Sequence, residues 1–357
     1  MSNRLLLTSE YNFVSGYNIL LSTILEESVK KNVIVIPKYY NKPSEKFKSY
    51  FDNIPNRDGT EKELLLFPSF NYPDIQHPLL HILNGKNKTF FTMWEASRIG
   101  DFYIDKINLF DQVIVPNKWN KETFENQGCT NKISVINLGV DTNIFNYTEP
   151  NNNDIFTFAT GNDDPRKRLP EVIKCFIKAF PNEKDVRLSI KISNQLSQRF
   201  SDNRIVINTQ NLTKQELKNW YCSTDVFVSA VSAEGWGLMQ HESMACGRPV
   251  IVANYGGLKE FVTLENSFCL KHIEVDATGF WEFPGAKWSR YDEEHMIETM
   301  RYCYNNRDEV KQKGKLASID ACKLTKEKFI ENLKIYLKET NYKYLTFQYK
   351  QLKQLLQ

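Results

Sequence analysis

The chain has 357 residues, of which 41% are hydrophobic and 25% charged, and 46 Lys and Arg against 43 Asp and Glu leave a net charge of +3. That length exceeds what one core usually organises, so two domains are expected, and so mild a positive balance is a thin footprint for nucleic acid or an anionic membrane. No run of about 18 apolar residues occurs, which excludes a spanning helix, and the start MSNRLLLTSEYNF holds too short an apolar run for a signal peptide.

In chain order, RLLLTSE is expected as a first strand, GYNILLSTILEESVK as a helix and NVIVIPK as a second strand. KELLLFPSF, TFFTMWE and LFDQVIVPN follow as strands, with a helix at KWNKETFENQG before KISVINLGV. Such apolar runs look buried on both faces, the mark of parallel sheet, and their spacing suits βα units. Residues 1–145 are therefore expected to form a doubly wound α/β domain. DTNIFNYTEPNNND has little periodicity and is expected to be an interdomain linker. The alternation then restarts, giving a second α/β domain over 146–339 that ends in helices through EEHMIETMRYCYNN and TKEKFIENLKIYLKE.

The tail NYKYLTFQYKQLKQLLQ puts Leu345, Tyr349, Leu352 and Leu356 on one face of a basic amphipathic helix. Packing of this helix onto its own protein is preferred over a peripheral membrane contact. The seven cysteines are scattered without C-x-x-C or Cys/His clustering, so reduced thiols in a cytoplasmic protein are expected, with no metal site. Richness in Asn, Lys, Ile and Tyr fits an A/T-rich microbe, a virus or a phage as source, and carries no chemistry.

The densest chemistry lies in SAEGWGLMQHESMACGRPVIVANYGG, residues 232–257. DVFVSAV before it is expected as a strand, SAEGWG as a turn, LMQHESMAC as a helix stopped by Gly247, and PVIVAN as the next strand. Ligands of such βαβ units bind beyond the carboxyl ends of the strands, where Glu234 falls. Gly235 and Gly237 let backbone approach a ligand closely, and a helix beginning near Leu238 offers unpaired amides suited to a phosphate. Glu242, one turn into the helix, can accept hydrogen bonds from two vicinal hydroxyls, about 1.5–3 kcal/mol for each charge-assisted bond. A phosphate beside hydroxyl-binding carboxylates describes a nucleotide-sugar site. Against it stands the plain fact that two glutamates eight apart are commonplace. In FTFATGNDDPRKRLPEVI, Arg166, Lys167 and Arg168 sit on a strand-to-helix turn, with Pro170 in the first turn of the helix. Cations placed there can clamp a diphosphate leaving group, although a solvated basic turn is the simpler alternative.

The pair Glu234 and Glu242, in EGWGLMQHESMACGRPVI followed by NYGGLKEFV, resembles the E-x7-E signature of retaining GT-B glycosyltransferases of the GT4 family (glycosyl transferases group 1). The resemblance implies two Rossmann-like domains facing a central cleft, with the C-terminal helix 340–357 crossing back to the first. It implies that Glu234 faces the donor sugar, that Glu242 holds the nucleotide ribose, and that backbone from Gly235 through Trp236, Gly237 and Leu238 meets the donor. Arg166 and Lys167 inherit the diphosphate role, Asn162 standing where many members carry an arginine. Gly16, in FVSGYN, matches a loop that approaches the donor phosphate, and Asp141, in the linker-like GVDTNIF, is expected as a turn residue.

The chain departs from the family at FFTMWEAS, where many members place a histidine at the strand end. Here Trp94 and Glu95 occupy the place. Glu95 is expected either to orient hydroxyls, alongside Glu234 and Lys167 in the catalytic set, or to act as a simple cap. His77 and His81 are the nearby substitutes, and His241 beside Glu242 is unusual.

The resemblance thus implies a retaining, metal-independent and cofactor-free transfer of sugar from a nucleoside-diphosphate sugar to a hydroxyl of a glycan or glycolipid. The alternatives are transfer to hydroxylated bases of viral or phage DNA, and a non-catalytic nucleotide-sugar-binding protein. A sugar-nucleotide 2-epimerase shares the architecture but lacks this E-x7-E context.

Overall fold

The computed structural model describes residues 5–10, 33–38, 62–66, 87–150, 154–161, 164–192, 201–279 and 283–336. Gly16, His77, His81, Asn162 and the helix expected at 340–357 lie outside them. By its contacts the chain divides into two compact units, one of Met1–Trp94, Ile99–Asn137 and Lys328–Gln357, the other of Glu95–Arg98 and Leu138–Glu327.

The first unit holds a six-stranded parallel sheet of β1 (Leu5–Glu10), β2 (Val33–Lys38), β3 (Lys62–Leu66), β4 (Asn87–Phe91), β5 (Gln112–Val115) and β6 (Lys132–Val135), in the order β2-β1-β3-β4-β5-β6. In β4 and β5, Phe90, Phe91, Val113, Ile114 and Val115 are buried, as strands covered on both faces require. Helix α1 (Asp101–Ile107) precedes β5, and α2 (Lys118–Asn126) follows it. Asn117 caps α2 by accepting from the Asn120 amide at 2.8 Å. Asn120 in turn exchanges two hydrogen bonds with the Trp94 backbone, at 3.0 and 2.9 Å, which satisfies peptide groups left over where β4 has ended.

The second unit runs β7 (Phe156–Gly161), α3 (Leu169–Ala179), β8 (Val186–Lys191), β9 (Ile205–Asn208), α4 (Lys214–Cys222), β10 (Val226–Val228), α5 (Leu238–Ala245), β11 (Val250–Val252) and β12 (Phe268–Cys269). An antiparallel pair follows, β13 (His272–Asp276) with β14 (Lys287–Tyr291), then α6 (Glu293–Asn305) and α7 (Arg307–Ala321). The chain next enters α8 (Lys326–Tyr336), whose Phe329, Ile330 and Leu333 are buried. The main sheet is parallel, ordered β12-β11-β10-β7-β8-β9. From β7 the chain winds one way through β8 and β9, then crosses to β10 and winds the other way. The switch point therefore lies between β7 and β10, and ligands of open α/β sheets bind beyond the carboxyl ends of strands at such a point.

Residues of α3 spaced three and four apart, Val172, Ile173, Cys175, Phe176 and Ala179, are buried against the sheet. Phe158, Phe176 and Phe180 form the aromatic centre of that core, with ring centroids 5.5–6.3 Å apart. The α/β reading of both halves and the parallel sheets match the sequence expectation. The described elements that escaped it include α1, β12, the β13–β14 pair and α7. The last buries Val310, Gly314, Ala317, Ser318 and Ala321, a helical spacing made almost entirely of small residues and hence faint as an apolar pattern. Smallness is required there, because a Cβ on Gly314 would collide with the Gly247 carbonyl.

One charged side chain ties the second unit together. Arg248 is fully buried and donates to the carbonyls of Thr224 (2.8 Å), Thr148 and Cys246 (2.6 Å each) and Cys222 (2.7 Å). Arg248→Met would retain much of the packing while leaving these carbonyls short of donors. We predict a loss of about 3 kcal/mol or more of unfolding free energy, read by urea titration; a change below about 1 kcal/mol would show that water replaces the guanidinium.

Candidate functional site

The loops that follow β7 and β10 meet at the switch point. After β7, Asp164 accepts from the Arg166 amide at 2.9 Å and opens a 3-10 turn, Pro165–Lys167. Arg168 closes it with a left-handed φ of 51°, the only such non-glycine among the described residues, and leads into α3. After β10, residues 229–237 lead to α5. The two loops are laced together: the Ser232 amide donates to the Arg166 carbonyl at 3.0 Å, and Arg168 Nε donates to Ser232 Oγ at 2.6 Å.

Glu234 is seated by backbone. Its carbonyl accepts from the Gly257 amide at 2.7 Å, and a Cβ on Gly256, whose φ is +67°, would lie 2.9 Å from the same oxygen. The Gly-Gly pair is thus needed for this close approach. Gly237 begins α5 at φ 96°, with no side chain capping the helix, and a Cβ there would come within 2.5 Å of Leu258 Cδ2. Gly235, Gly237 and Leu238 accordingly line the backbone at the opening of α5.

The Glu234 carboxylate, 6% exposed, is paired with Lys167 through Oε1 and with Arg166 Nη1 through Oε2 at 3.4 Å. Gln240 Nε2 adds a contact at 3.4 Å to Oε1, itself steadied by Ser229 Oγ at 3.1 Å. Arg166 also donates to the Ala233 carbonyl and reaches Glu95 Oε2 with Nη2 at 2.9 Å. Glu95 is held in place by its carbonyl, which accepts from Trp288 Nε1 at 2.8 Å, and by the exchange of hydrogen bonds between Ser97 and Lys287. Burial pushes the Glu234 carboxyl up, but Lys167 and Arg166 outweigh it and hold the group below the usual carboxylate range. At Glu95 burial prevails over Arg166, and the nearby charge of Glu234 adds to it, so that carboxyl lies above the usual range.

Four residues expected from sequence, Glu95, Arg166, Lys167 and Glu234, are therefore gathered in one charged cluster. Glu242 stands apart from it, one turn into α5, where Tyr221 donates its hydroxyl to Oε2 at 3.0 Å. Trp236 is 2% exposed, its indole packed on His241 and Phe261 in the core. His241 is a core residue. Nδ1 accepts from Trp236 Nε1 at 3.3 Å, leaving Nε2 to donate to the Ala321 carbonyl at 3.0 Å, and burial lowers its pKa to about 4. Asp141 is a turn residue, its carbonyl accepting from the amides of Ile144 and Phe145. Sequence reasoning missed Gln240 and Tyr221. Gln240 stands inside the motif, close enough to Glu234 to have been found. Tyr221 looked like an ordinary apolar face of α4, and nothing local ties it to Glu242.

Burial raises the Glu242 carboxyl to about 7, opposed only in part by Tyr221. The folded chain thus holds this proton more tightly than an unfolded one, and stability is lost as pH rises from the ordinary glutamate range through about 7. Glu242→Gln removes that loss. Its stability relative to wild type should grow by about 2 kcal/mol from pH ~4.5 to pH ~7.5, allowing for partial exposure, as measured by urea unfolding at both ends. A difference that does not change with pH would contradict the enclosed carboxyl.

Residues 158–278, which span both loops, match the family model described as Glycosyl transferases group 1. A D-inositol 3-phosphate glycosyltransferase of Paenarthrobacter aurescens (strain TC1) is 36% identical over 59 residues, which is 16% of this chain and 14% of that protein. Among solved structures, a mutant of S. aureus TarM in complex with fondaparinux, α-GlcNAc-glycerol and UDP aligns at a TM-score of 0.62 and 15% identity, covering 82% of this chain and 58% of that one. Sucrose-phosphate synthase from Thermosynechococcus elongatus aligns at 0.70 and 13% identity, covering 94% and 99%. The chain therefore spans less than two thirds of the length of the curated relative and of TarM. Its segment 158–278 is similar to the glycosyl transferases group 1 family, and its α/β fold is shared with solved structures of the GT-B glycosyltransferase fold.

Proposed function

We propose that the chain is a retaining, metal-independent glycosyltransferase that moves a sugar from a nucleoside-diphosphate sugar to a hydroxyl of a glycan or glycolipid. The observation that carries this reading is the cluster at the switch point, where Arg166 and Lys167 stand beside Glu234 and the uncapped start of α5. A diphosphate placed there meets two cations and the positive end of a helix. Glu234 then lies where it can accept from sugar hydroxyls, and Glu242 can accept from the ribose once ionised. The E-x7-E spacing, the curated glycosyltransferase relative, and the UDP named with S. aureus TarM support the same reading.

In this mechanism donor and acceptor react on one face of the sugar. The bond from the anomeric carbon to the diphosphate oxygen breaks as the acceptor oxygen bonds to that carbon, and the acceptor proton passes to the departing diphosphate. Arg166 and Lys167 stabilise the charge that grows on the leaving group, which a metal ion would otherwise do. No protein nucleophile takes part, and the protein contributes chiefly position and charge.

The reading is tested by binding and slow donor hydrolysis across UDP-, GDP-, ADP- and dTDP-sugars with EDTA present. Lys167→Ala should reduce turnover by about 10²–10³-fold. Glu242→Ala should weaken free nucleotide by about 10- to 100-fold for each lost charge-assisted bond, while Glu234→Ala spares nucleotide more and lowers turnover and sugar discrimination. Wild-type turnover by all three variants would dismiss the site. Donor binding without transfer to any acceptor would favour the non-catalytic alternative.

A further inference from the structure

The cluster at the switch point balances its own charge. Arg166 and Lys167, with side chains 10% and 14% exposed, face Glu95 and Glu234, at 21% and 6%. A donor diphosphate linkage carries two further negative charges, so on the reading above its arrival leaves two cations against two carboxylates and two phosphate charges. A surplus of like charge in so enclosed a place is relieved by protonating the carboxylate that is held least well.

The two carboxylates are held very differently. Glu234 has Lys167, Arg166 and Gln240 on its oxygens and its own carbonyl fixed by Gly257. Glu95 has one ion-pair partner among the described residues, Arg166 at 2.9 Å, and that guanidinium is the group a diphosphate would draw away. We propose that donor binding takes Arg166 from Glu95 and that Glu95 takes up a proton from solvent as it does so, making it a proton-linked gate on donor affinity. The charged groups facing it come from two loops. Arg166, Lys167 and Asp164 belong to the loop after β7 and Glu234 to the loop after β10, while β14 supplies only the neutral indole of Trp288 to its carbonyl. With Arg166 engaged elsewhere, Asp164 and Glu234 both disfavour a charged Glu95. Burial already raises its pKa in the free protein, in the direction this gate requires.

The inference rests on the donor-site reading, and calorimetry of the full chain separates the two. UDP-glucose, UDP-N-acetylglucosamine, GDP-mannose and ADP-glucose serve as probes, titrated near neutral pH in buffers of different ionisation enthalpy. Wild type should take up as much as one proton more per bound probe than Glu95→Gln, and its Kd should rise by up to tenfold per pH unit where Glu95 is charged in the free protein. Glu95→Gln should bind more tightly than wild type at the alkaline end and with a flatter pH profile; Glu95→Leu is the second uncharged variant should Gln fold poorly. Glu242 gives up its proton on binding ribose, the opposite sign, and that contribution is common to wild type and the Glu95 variants. Equal proton counts in wild type and the uncharged variants would overturn the inference. If Lys167→Ala abolishes binding while those counts stay equal, this inference alone fails. If Lys167→Ala binds as wild type does, or none of the probes binds, the donor-site reading fails and takes the gate with it.

Discussion

Glu234 is buried between two cations, and much of the second unit is arranged to make that arrangement tolerable. Enclosing a carboxylate costs several kcal/mol unless partners surround it, and removing one partner from such a pair is more damaging than never having built it. Here the partners arrive from a different strand. Arg166 and Lys167 hang on the turn after β7, while Glu234 hangs on the loop after β10, and these strands are neighbours because the sheet changes winding direction between them. The ion pairs therefore fasten together two loops that the sheet order has already brought side by side.

Backbone detail follows from the same constraint. Gly256 and Gly257 approach the Glu234 carbonyl more closely than a side chain would permit, and Gly237 turns the chain into α5 through a left-handed conformation. Arg168 adopts a left-handed φ on the other loop, where its guanidinium reaches Ser232. A non-glycine held in that conformation is unusual enough to point to a loop whose shape is fixed by its surroundings. Below this layer, the core is conventional. Arg248 satisfies carbonyls between elements, and α7 crosses Gly247 on a face of small residues.

Much of this was legible in the sequence, for identifiable reasons. The β5 run of Val113, Ile114 and Val115 could only be a strand covered on both faces, and α3 announced itself through Val172, Ile173 and Phe176. Glu234, Arg166 and Lys167 were legible because strand ends carry function in α/β sheets and because their motif resembles a known family. What escaped depended on tertiary pairing. Nothing local in FFTMWEAS says that Glu95 meets Arg166, and nothing in KQELKNWYCST says that Tyr221 meets Glu242. Nor does anything local say that the Trp236 indole packs on His241 and Phe261 in the core. Helix α7 hid because packing by Gly314, Ala317 and Ser318 leaves little hydrophobic periodicity.

The most direct measurement is a crystal structure of the chain with an intact nucleoside-diphosphate sugar. The diphosphate oxygens are predicted to lie within hydrogen-bonding distance of Arg166, Lys167 and the first amides of α5, with Glu234 toward the sugar and Glu242 on the ribose. A donor bound elsewhere, with Arg166 and Lys167 still closed on Glu95 and Glu234, would contradict the assignment and leave the cluster as a purely structural clasp between two loops.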